Sequence, residues 1–341
     1  MNYISYNNLF KFLDGLKNEY EVYTPFKNNK QRFYKRYEAI SDDIVIGEVR
    51  AFEPLKPFFY KARERMQEGF SADIPRSKNK PFEIVGVKAC DLKGFQVQDY
   101  VFKDHDYEDP FYMRMRRENL IISAECTCAI ETCFCLALGL KPYPQNDFDI
   151  NLSSVNGGFI AEPGSEKGNK LIGQYSHLFE EVKPTHILQK NEQRNTVAKQ
   201  VEKNIKNNEI PCQESYKGAV EKSFESGIWK EEANTCVECG ACNTICPTCH
   251  CFLLYDQKDK RQMARLRIWD SCLIKDFARV AGGANPRKIL WMRLRNRFEK
   301  KFDFFPKVAD VYACTGCGRC ISACPGKIDI RRVLKNLVKN A

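Results

Sequence analysis

Along the first half of the chain the spacing of apolar positions changes from segment to segment. In YNNLFKFLDGLKNEY, residues Leu9, Phe10, Phe12, Leu13 and Leu16 recur every three to four positions and predict an amphipathic helix. EVYTPF then reads as a strand, with Pro25 as a breaker. In FEIVGVKACD the continuous run Ile84, Val85 and Val87 is what a strand covered on both faces shows, and Cys90 and Asp91 fall where it should end. NLIISAEC repeats the pattern: Leu120, Ile121 and Ile122 lead to Cys126. Between these two runs, DYEDPFYMRMRREN predicts a turn and a polar crossover helix, long enough to make the two strands parallel. Open α/β sheets bind ligands at the carboxyl ends of their strands, and a cysteine is expected at that edge from each run.

The second half patterns differently. LQKNEQRNTVAKQVEKNIKNNEI is polar with sparse apolar positions and predicts an exposed helix or linker. Farther on, RQMARLRIWDSCLIKDFARVAGG and RKILWMRLRNRFEKKF carry helical patterning and are separated by AGGANPR. No window approaches the length of apolar chain needed to span a membrane, and the first residues do not read as a secretory signal, so a cytoplasmic protein is expected.

Composition changes this picture at one residue type. The 341 residues include 17 cysteines but only 4 histidines, His105, His177, His186 and His250. A reducing compartment disfavours disulfides, so thiolate-dominated metal sites, iron-sulfur or zinc, become the leading expectation. The formal net charge of +10 argues only weakly for nucleic acid, since each oxidised four-thiolate 4Fe-4S cluster would bring roughly two negative charges.

The cysteines are patterned. Cys236, Cys239, Cys242 and Cys246 precede Pro247, and Cys314, Cys317, Cys320 and Cys324 precede Pro325. Both runs have the C-x2-C-x2-C-x3-C-P spacing of two-cluster ferredoxins, in which the fourth cysteine serves the other cluster. The expected ligand sets are Cys236, Cys239, Cys242 and Cys324 for one 4Fe-4S cluster, and Cys314, Cys317, Cys320 and Cys246 for the other. Glycines 240, 316 and 318 are expected to let the backbone approach the inorganic sulfides. A structural zinc site is the alternative, but zinc needs no third cysteine at this spacing. The long interval between the motifs suggests an all-helical ferredoxin type rather than the small β-rich one.

Cys90, Cys126, Cys133 and Cys135 would suit a third 4Fe-4S cluster, with Cys128 able to replace Cys126; a zinc site and reduced structural thiols are the alternatives. Cys249, Cys251 and Cys272 lie near the ferredoxin motif without a place in it, as further ligands or buried small hydrophobes, and His250 is a weaker candidate. Arg287, Arg293, Arg295 and Arg297 read as a basic helical run, a solvated face or a docking surface for an acidic partner. The chain thus divides into an α+β or α/β domain with a short, partly parallel sheet over 1–190, a polar helical linker over 191–228 and an all-helical ferredoxin-type domain with two 4Fe-4S clusters over 229–341.

An ordered set of landmarks, FFYKARERM, VGVKACD, MRRENLIISAEC, ETCFC, GSEKG, CPTCHCF, WDSC, AGG with NPR, and CTGCGRCISACP, runs through most of the chain. In these the sequence resembles the iron-sulfur subunits typified by those of anaerobic sulfite reductase and by the beta subunit of cytosolic nickel-iron hydrogenase (sulfhydrogenase). The resemblance implies an electron carrier without a catalytic site of its own. Its implied partners are a catalytic subunit of sirohaem sulfite reductase or nickel-iron hydrogenase type and an FAD-containing, NAD(P)H-linked subunit, in an anaerobic complex with no membrane and no nucleic acid. In that pattern Cys90, Cys126, Cys133, Cys135, Cys249, Cys251 and Cys272 occupy cysteine positions, whereas Cys128 and Cys212 look peculiar to this chain. No dinucleotide fingerprint follows a strand, so hydride chemistry is left to a flavin elsewhere. A redox sensor binding nucleic acid and a thiol or disulfide reductase are the alternative functions.

Overall fold

The computed structural model describes residues 1–68, 80–104, 106–259 and 262–341, so His105 lies outside the described residues. The first half is built on a seven-stranded sheet in the order β1-β8-β7-β6-β5-β2-β3. Its strands are β1 (Asn2–Ser5), β2 (Glu21–Asn28), β3 (Gln31–Arg36), β5 (Phe82–Val87), β6 (Leu120–Ala124), β7 (Ile150–Val155) and β8 (Gly158–Pro163). Between β3 and β5 comes β4 (Arg63–Glu68), which belongs to a second sheet. The central strands β2, β5, β6 and β7 are parallel to their neighbours, whereas β3, β8 and β1 are antiparallel additions at the edges.

The continuous apolar runs explain that centre. Along β5, Val85 packs with Ile122, Leu13 and Phe12 on one face, while Ile84 and Val87 pack with Ile121, Phe59 and Phe95 on the other. Burying both faces removes any benefit from alternation, so these strands carry no polar period. The helix Tyr6–Leu16 covers the first face through Leu9, Phe12, Leu13 and Leu16, capped by the Ser5 hydroxyl. The crossover helix Pro110–Glu118 starts at Asp109, whose carboxylate accepts from the amides of Phe111 and Tyr112. Pro25 sits inside β2 without breaking it, because the parallel pairing with β5 ends at Tyr23, and on that side its carbonyl accepts from the Val45 amide (2.9 Å) where a missing N–H costs nothing.

The polar stretch after residue 183 forms one helix, Pro184–Asn207. Its few apolar residues are placed with purpose: Val197 and Val201 are buried, and Gln193, Arg194, Gln200 and Asn204 bond to the loop after β6. The last third packs the helices Tyr216–Lys222, Ile228–Ala233, Leu290–Glu299 and Ile330–Lys339 around Trp229, Phe298, Phe302 and Leu334.

The expectation that RQMARLRIWDSCLIKDFARVAGG is helical fails, and with it the all-helical reading of residues 229–341: residues 270–283 are turns, and two strands precede them. From Gln262 the segment is strand β10 (Gln262–Trp269), paired on one side with β9 (Phe252–Asp259) and on the other with β4. The period-two signal was present: Met263 and Arg265 are exposed while Ala264 and Leu266 are buried. The coincidental three-residue spacing of Met263 and Leu266 and four-residue spacing of Ala264 and Ile268 masked it. Arg267 is buried and bonds to Glu64 of β4 and to Asp109, so the hairpin is tied to the first half of the chain.

Candidate iron-sulfur sites

Two apolar cavities are lined by thiols. The first is bordered by Cys236, Cys239 and Cys242 of the first motif, by Cys320 and Cys324 of the second, and by Leu273, Leu294 and Phe298. The crossing of Cys324 into the first motif's cavity matches the geometry in which a fourth cysteine serves the opposite site. The second cavity gathers Cys90, Cys126, Cys128, Cys133, Cys135 and Cys317 beneath Val197 and Val201.

Topology makes the second cavity. β5 and β6 are parallel neighbours, so their carboxyl ends lie side by side. Cys90 stands in the first turn of the helix Ala89–Phe102 that follows β5, and Cys126 two residues beyond the end of β6. Cys133 and Cys135 come from the loop after β6, which is seated on the second ferredoxin motif by a bond from the Phe134 amide to the Gly316 carbonyl (2.9 Å). That seat explains two glycines differently from the sequence reading. A Cβ on Gly316 (φ +63°) would stand 2.5 Å from Cys135 Cα, and one on Gly318 (φ +70°) 2.1 Å from the Thr132 carbonyl. Side chains are excluded there by a neighbouring loop.

Cys246, Cys314, Cys317 and Cys320 are also brought together: Cys314 interacts electrostatically with Cys320 and Cys246, and Cys320 with Cys317 and Cys246. The three groups form a row. Cys317 borders the cavity of the first-half thiols, and Cys320 borders that of Cys236, Cys239 and Cys242.

Each group has a buried cation; of these, sequence inspection noticed only the basic residues near 287 to 301, Arg297 among them, and not their burial beside the thiols. Lys88 donates to the Ile46 carbonyl (2.6 Å); burial lowers its pKa, and Cys126, Cys128 and Cys90 pull the other way. Arg50 donates to the Cys317 carbonyl, and its Nη2 is buried without a protein acceptor. Arg319 pairs with Asp91 at 2.8 Å, both side chains fully buried, and leaves Nη1 unpartnered near Cys317 and Cys90. Arg297 bonds to Asn243 Oδ1 (3.0 Å) and to the Cys242 carbonyl (3.3 Å). Lys301 lies in a single π-helical turn, Lys300–Phe304, and reaches Cys246 Sγ at 3.4 Å, Thr248 Oγ1 at 2.9 Å and the Ala313 carbonyl at 2.8 Å. A lysine closing an apolar run, as Lys88 does after FEIVGV, was the visible signal.

The basic run therefore divides. Arg293 and Arg297 are buried, the first bonding to the carbonyls of Leu273 and Arg287 and the second facing thiols, so neither contributes to a solvated or docking face.

A 4Fe-4S group fits these residues. Burial pushes the thiols of Cys126, Cys242 and Cys314 up to about 12, so alone they would stay neutral beside buried lysine and arginine charges. That combination is unfavourable on both sides; an anionic cluster would hold the thiolates and give Arg50 Nη2 and Arg319 Nη1 an acceptor. Among the described residues no three His, Cys, Asp or Glu side chains converge tightly enough for a single metal ion. The thiols surround space instead, as a multi-atom cluster requires.

Cys249, Cys251 and Cys272 border neither cavity. Cys251 lies beside Cys272, whose sulfur accepts from Asn243 Nδ2 at 3.1 Å, and Cys249 lies beside Cys246. His250 turns Nδ1 to the Thr248 carbonyl (3.2 Å) and its ring to Phe305. Cys128 lines the first-half cavity, whereas Cys212 is exposed. Among the described residues no helix is long and apolar enough to cross a membrane.

Comparison with known proteins agrees with this architecture. Residues 235–328 match a 4Fe-4S dicluster domain. Over 326 residues, 95% of this chain and 94% of the relative, the sequence is 30% identical to the sulfhydrogenase 2 subunit beta of Pyrococcus furiosus. With two thiol-lined cavities, a dicluster segment and similarity along nearly its whole length, the chain belongs to the family of sulfhydrogenase beta subunits.

Proposed function

We propose that this chain is the electron-relay subunit of a multi-subunit hydrogenase, carrying three 4Fe-4S clusters that pass single electrons. The ligand sets are Cys236, Cys239, Cys242 and Cys324; Cys314, Cys317, Cys320 and Cys246; and Cys90, Cys126, Cys133 and Cys135. One observation carries the reading: the middle thiol group borders both flanking cavities, through Cys317 on one side and Cys320 on the other. A relay needs such adjacency, and three isolated structural sites would not.

The protein's own residues tune the row. Arg297, Lys301, Lys88 and Arg319 place fixed positive charge beside thiolates in a low-dielectric setting, which favours the reduced state of whatever those thiolates hold. Val197, Val201, Leu294 and Phe298 give the cavities apolar walls, which lower the local polarity around the thiols. Two-electron donors require a flavin, which we assign with NAD(P)H binding to a partner subunit, and the terminal reaction to a catalytic subunit of nickel-iron type. The similarity to a sulfhydrogenase subunit favours nickel over sirohaem. Cytoplasmic placement and anaerobic operation belong to the same proposal.

The test is anaerobic purification with whatever co-elutes, followed by measurement of iron, acid-labile sulfide, flavin, nickel and sirohaem. About twelve irons per chain are expected, falling to about eight in Cys133→Ala. A colourless protein containing zinc overturns the proposal; sirohaem without nickel overturns its hydrogenase part.

A further inference from the structure

The trio outside the ligand sets is arranged unlike the other thiols. Ligands of a cluster stand apart around a cavity, whereas Cys251 and Cys272 lie side by side, each the foremost neighbour of the other's thiol. The fold enforces this approach. Cys251 precedes β9, Cys272 follows β10, and the β9–β10 ladder is continued past Phe252 and Trp269 by a bond from the Asp270 amide to the Cys251 carbonyl (2.9 Å). WDSC thereby folds back over CHCF.

The pair is polar on one side and connected to the relay on the other. Asn243, fully buried, donates to Cys272 Sγ (3.1 Å) and Ser271 Oγ (3.0 Å), while its Oδ1 accepts from Arg297 and lies 4.0 Å from Cys242 Sγ and 3.7 Å from Cys249 Sγ. Cys249 in turn touches Cys246. One amide therefore links the pair to Cys242 of one proposed ligand set, and Cys249 links the same amide to Cys246 of the next. Cys272 is buried, and Cys251 is partly exposed.

We infer that Cys251 and Cys272 form a redox-active dithiol, a two-electron centre set against two one-electron sites of the relay. This rests on the relay reading for its electron source. In the reducing direction the Cys251–Cys272 disulfide takes two electrons, one from each flanking reduced site, and two protons from water reaching Cys251; the S–S bond breaks and two thiols form. In the oxidising direction the S–S bond forms, two electrons return to the oxidised flanking sites, and both protons leave to solvent. Such a centre would let the subunit hold an electron pair where its clusters hold electrons singly.

The intact complex, isolated anaerobically, is poised fully oxidised or fully reduced, quenched in acid and alkylated with isotopically distinct reagents before peptide mass analysis. Acid releases cluster iron, so every ligand cysteine reads as a free thiol in both samples. The expected result is a Cys251–Cys272 cross-link, two hydrogens lighter and unalkylated, in the oxidised sample only. Both thiols alkylated in both samples overturns the inference. So does loss of about four irons in Cys251→Ser or Cys272→Ser, which would make them cluster ligands; unchanged iron in both variants supports the dithiol. Failure of the relay reading shows separately, as absent iron in the parent complex. In that case a cross-link reversed by a chemical dithiol still establishes the pair, while its absence overturns it.

Discussion

Lys301 offers the sharpest test of how the chain tunes its sites. Replacement by Met keeps length and apolar stem and removes one buried positive charge 3.4 Å from Cys246 Sγ. The charge of a bound cluster is spread over its irons and sulfides, so its centre lies roughly 6 Å from the ammonium; at an effective dielectric of about 20, one unit charge at that distance is worth about 3 kcal/mol. At 2.3 kcal/mol per 100 mV for one electron, this corresponds to an upper value of about 120 mV. Relaxation of Thr248 and neighbouring dipoles reduces it, so the midpoint potential of the site containing Cys246 should fall by about 50–120 mV in Lys301→Met. Lys301→Arg should retain most of the wild-type potential, because the charge survives. The assay is an EPR-monitored redox titration of complexes matched for iron and sulfide, which separates tuning from cluster loss. Matching is needed because the Met variant leaves Thr248 Oγ1 without its Lys301 donor, although the Ala313 carbonyl keeps the Thr248 hydroxyl at 2.7 Å, at a cost of about 1–3 kcal/mol. A Met variant with full iron and an unshifted midpoint would refute the assignment of Lys301 as a tuning charge.

Glu83 is fully buried in β5 with neither carboxyl oxygen bonded, and burial, then Asp149, raises its pKa well above the usual carboxylate value. The folded state keeps the proton that the unfolded state releases above the ordinary glutamate pKa, so this residue's contribution is complete below that pH and is lost as pH rises through the folded value. Glu83→Gln should match the wild type near pH 4.5 and exceed it by at least about 1 kcal/mol at pH 7.5 in anaerobic guanidinium unfolding, and parallel pH profiles would sink this. Asp91→Asn leaves the fully buried Arg319 charge unpaired and should cost about 3–5 kcal/mol, with Asp91→Asn/Arg319→Met recovering much of it; thermal melts of both variants decide, and a double variant no better than the single one counts against the pairing argument. Gly316→Ala pushes a methyl into Cys135 Cα and should destabilise by about 1–3 kcal/mol while lowering iron at the first-half site, whereas iron equal to wild type would show that the loops can part.

The sequence exposed its chemistry more readily than its packing. The two ferredoxin motifs and the convergence of Cys90, Cys126, Cys133 and Cys135 could be read because both rest on local rules: fixed spacing in one case, and the carboxyl edge of parallel strands in the other. The strand β10 could not be read reliably, since its period-two pattern is short and its partner β4 lies about two hundred residues earlier in the chain. Arg293 and Arg297 looked like a charged surface because burial of a cation is decided by thiols and carbonyls that only tertiary structure supplies. Gly316 and Gly318 were singled out for approach to a cluster; what could not be read is that a loop from the other half of the chain also presses against them.

These misreadings share a cause, and it bears on mechanism. The dicluster segment does not close on itself: Arg319 reaches across to Asp91 and the carbonyls of Ala51, Phe52 and Glu53, Lys56 reaches the Cys249 carbonyl, and Phe134 joins the core built on Trp229 and Phe298. Charges that balance thiols of one half are thus supplied by the other. A carrier made of two independent cluster domains could change the spacing of its sites by rotating one against the other. Here the shared buried pair, the glycine-seated loops and the β4–β10 ladder oppose that rotation, so the positions of the three thiol groups are fixed by the fold. Control over electron flow must then come from potentials, which buried cations such as Lys301 set, rather than from movement of one half past the other.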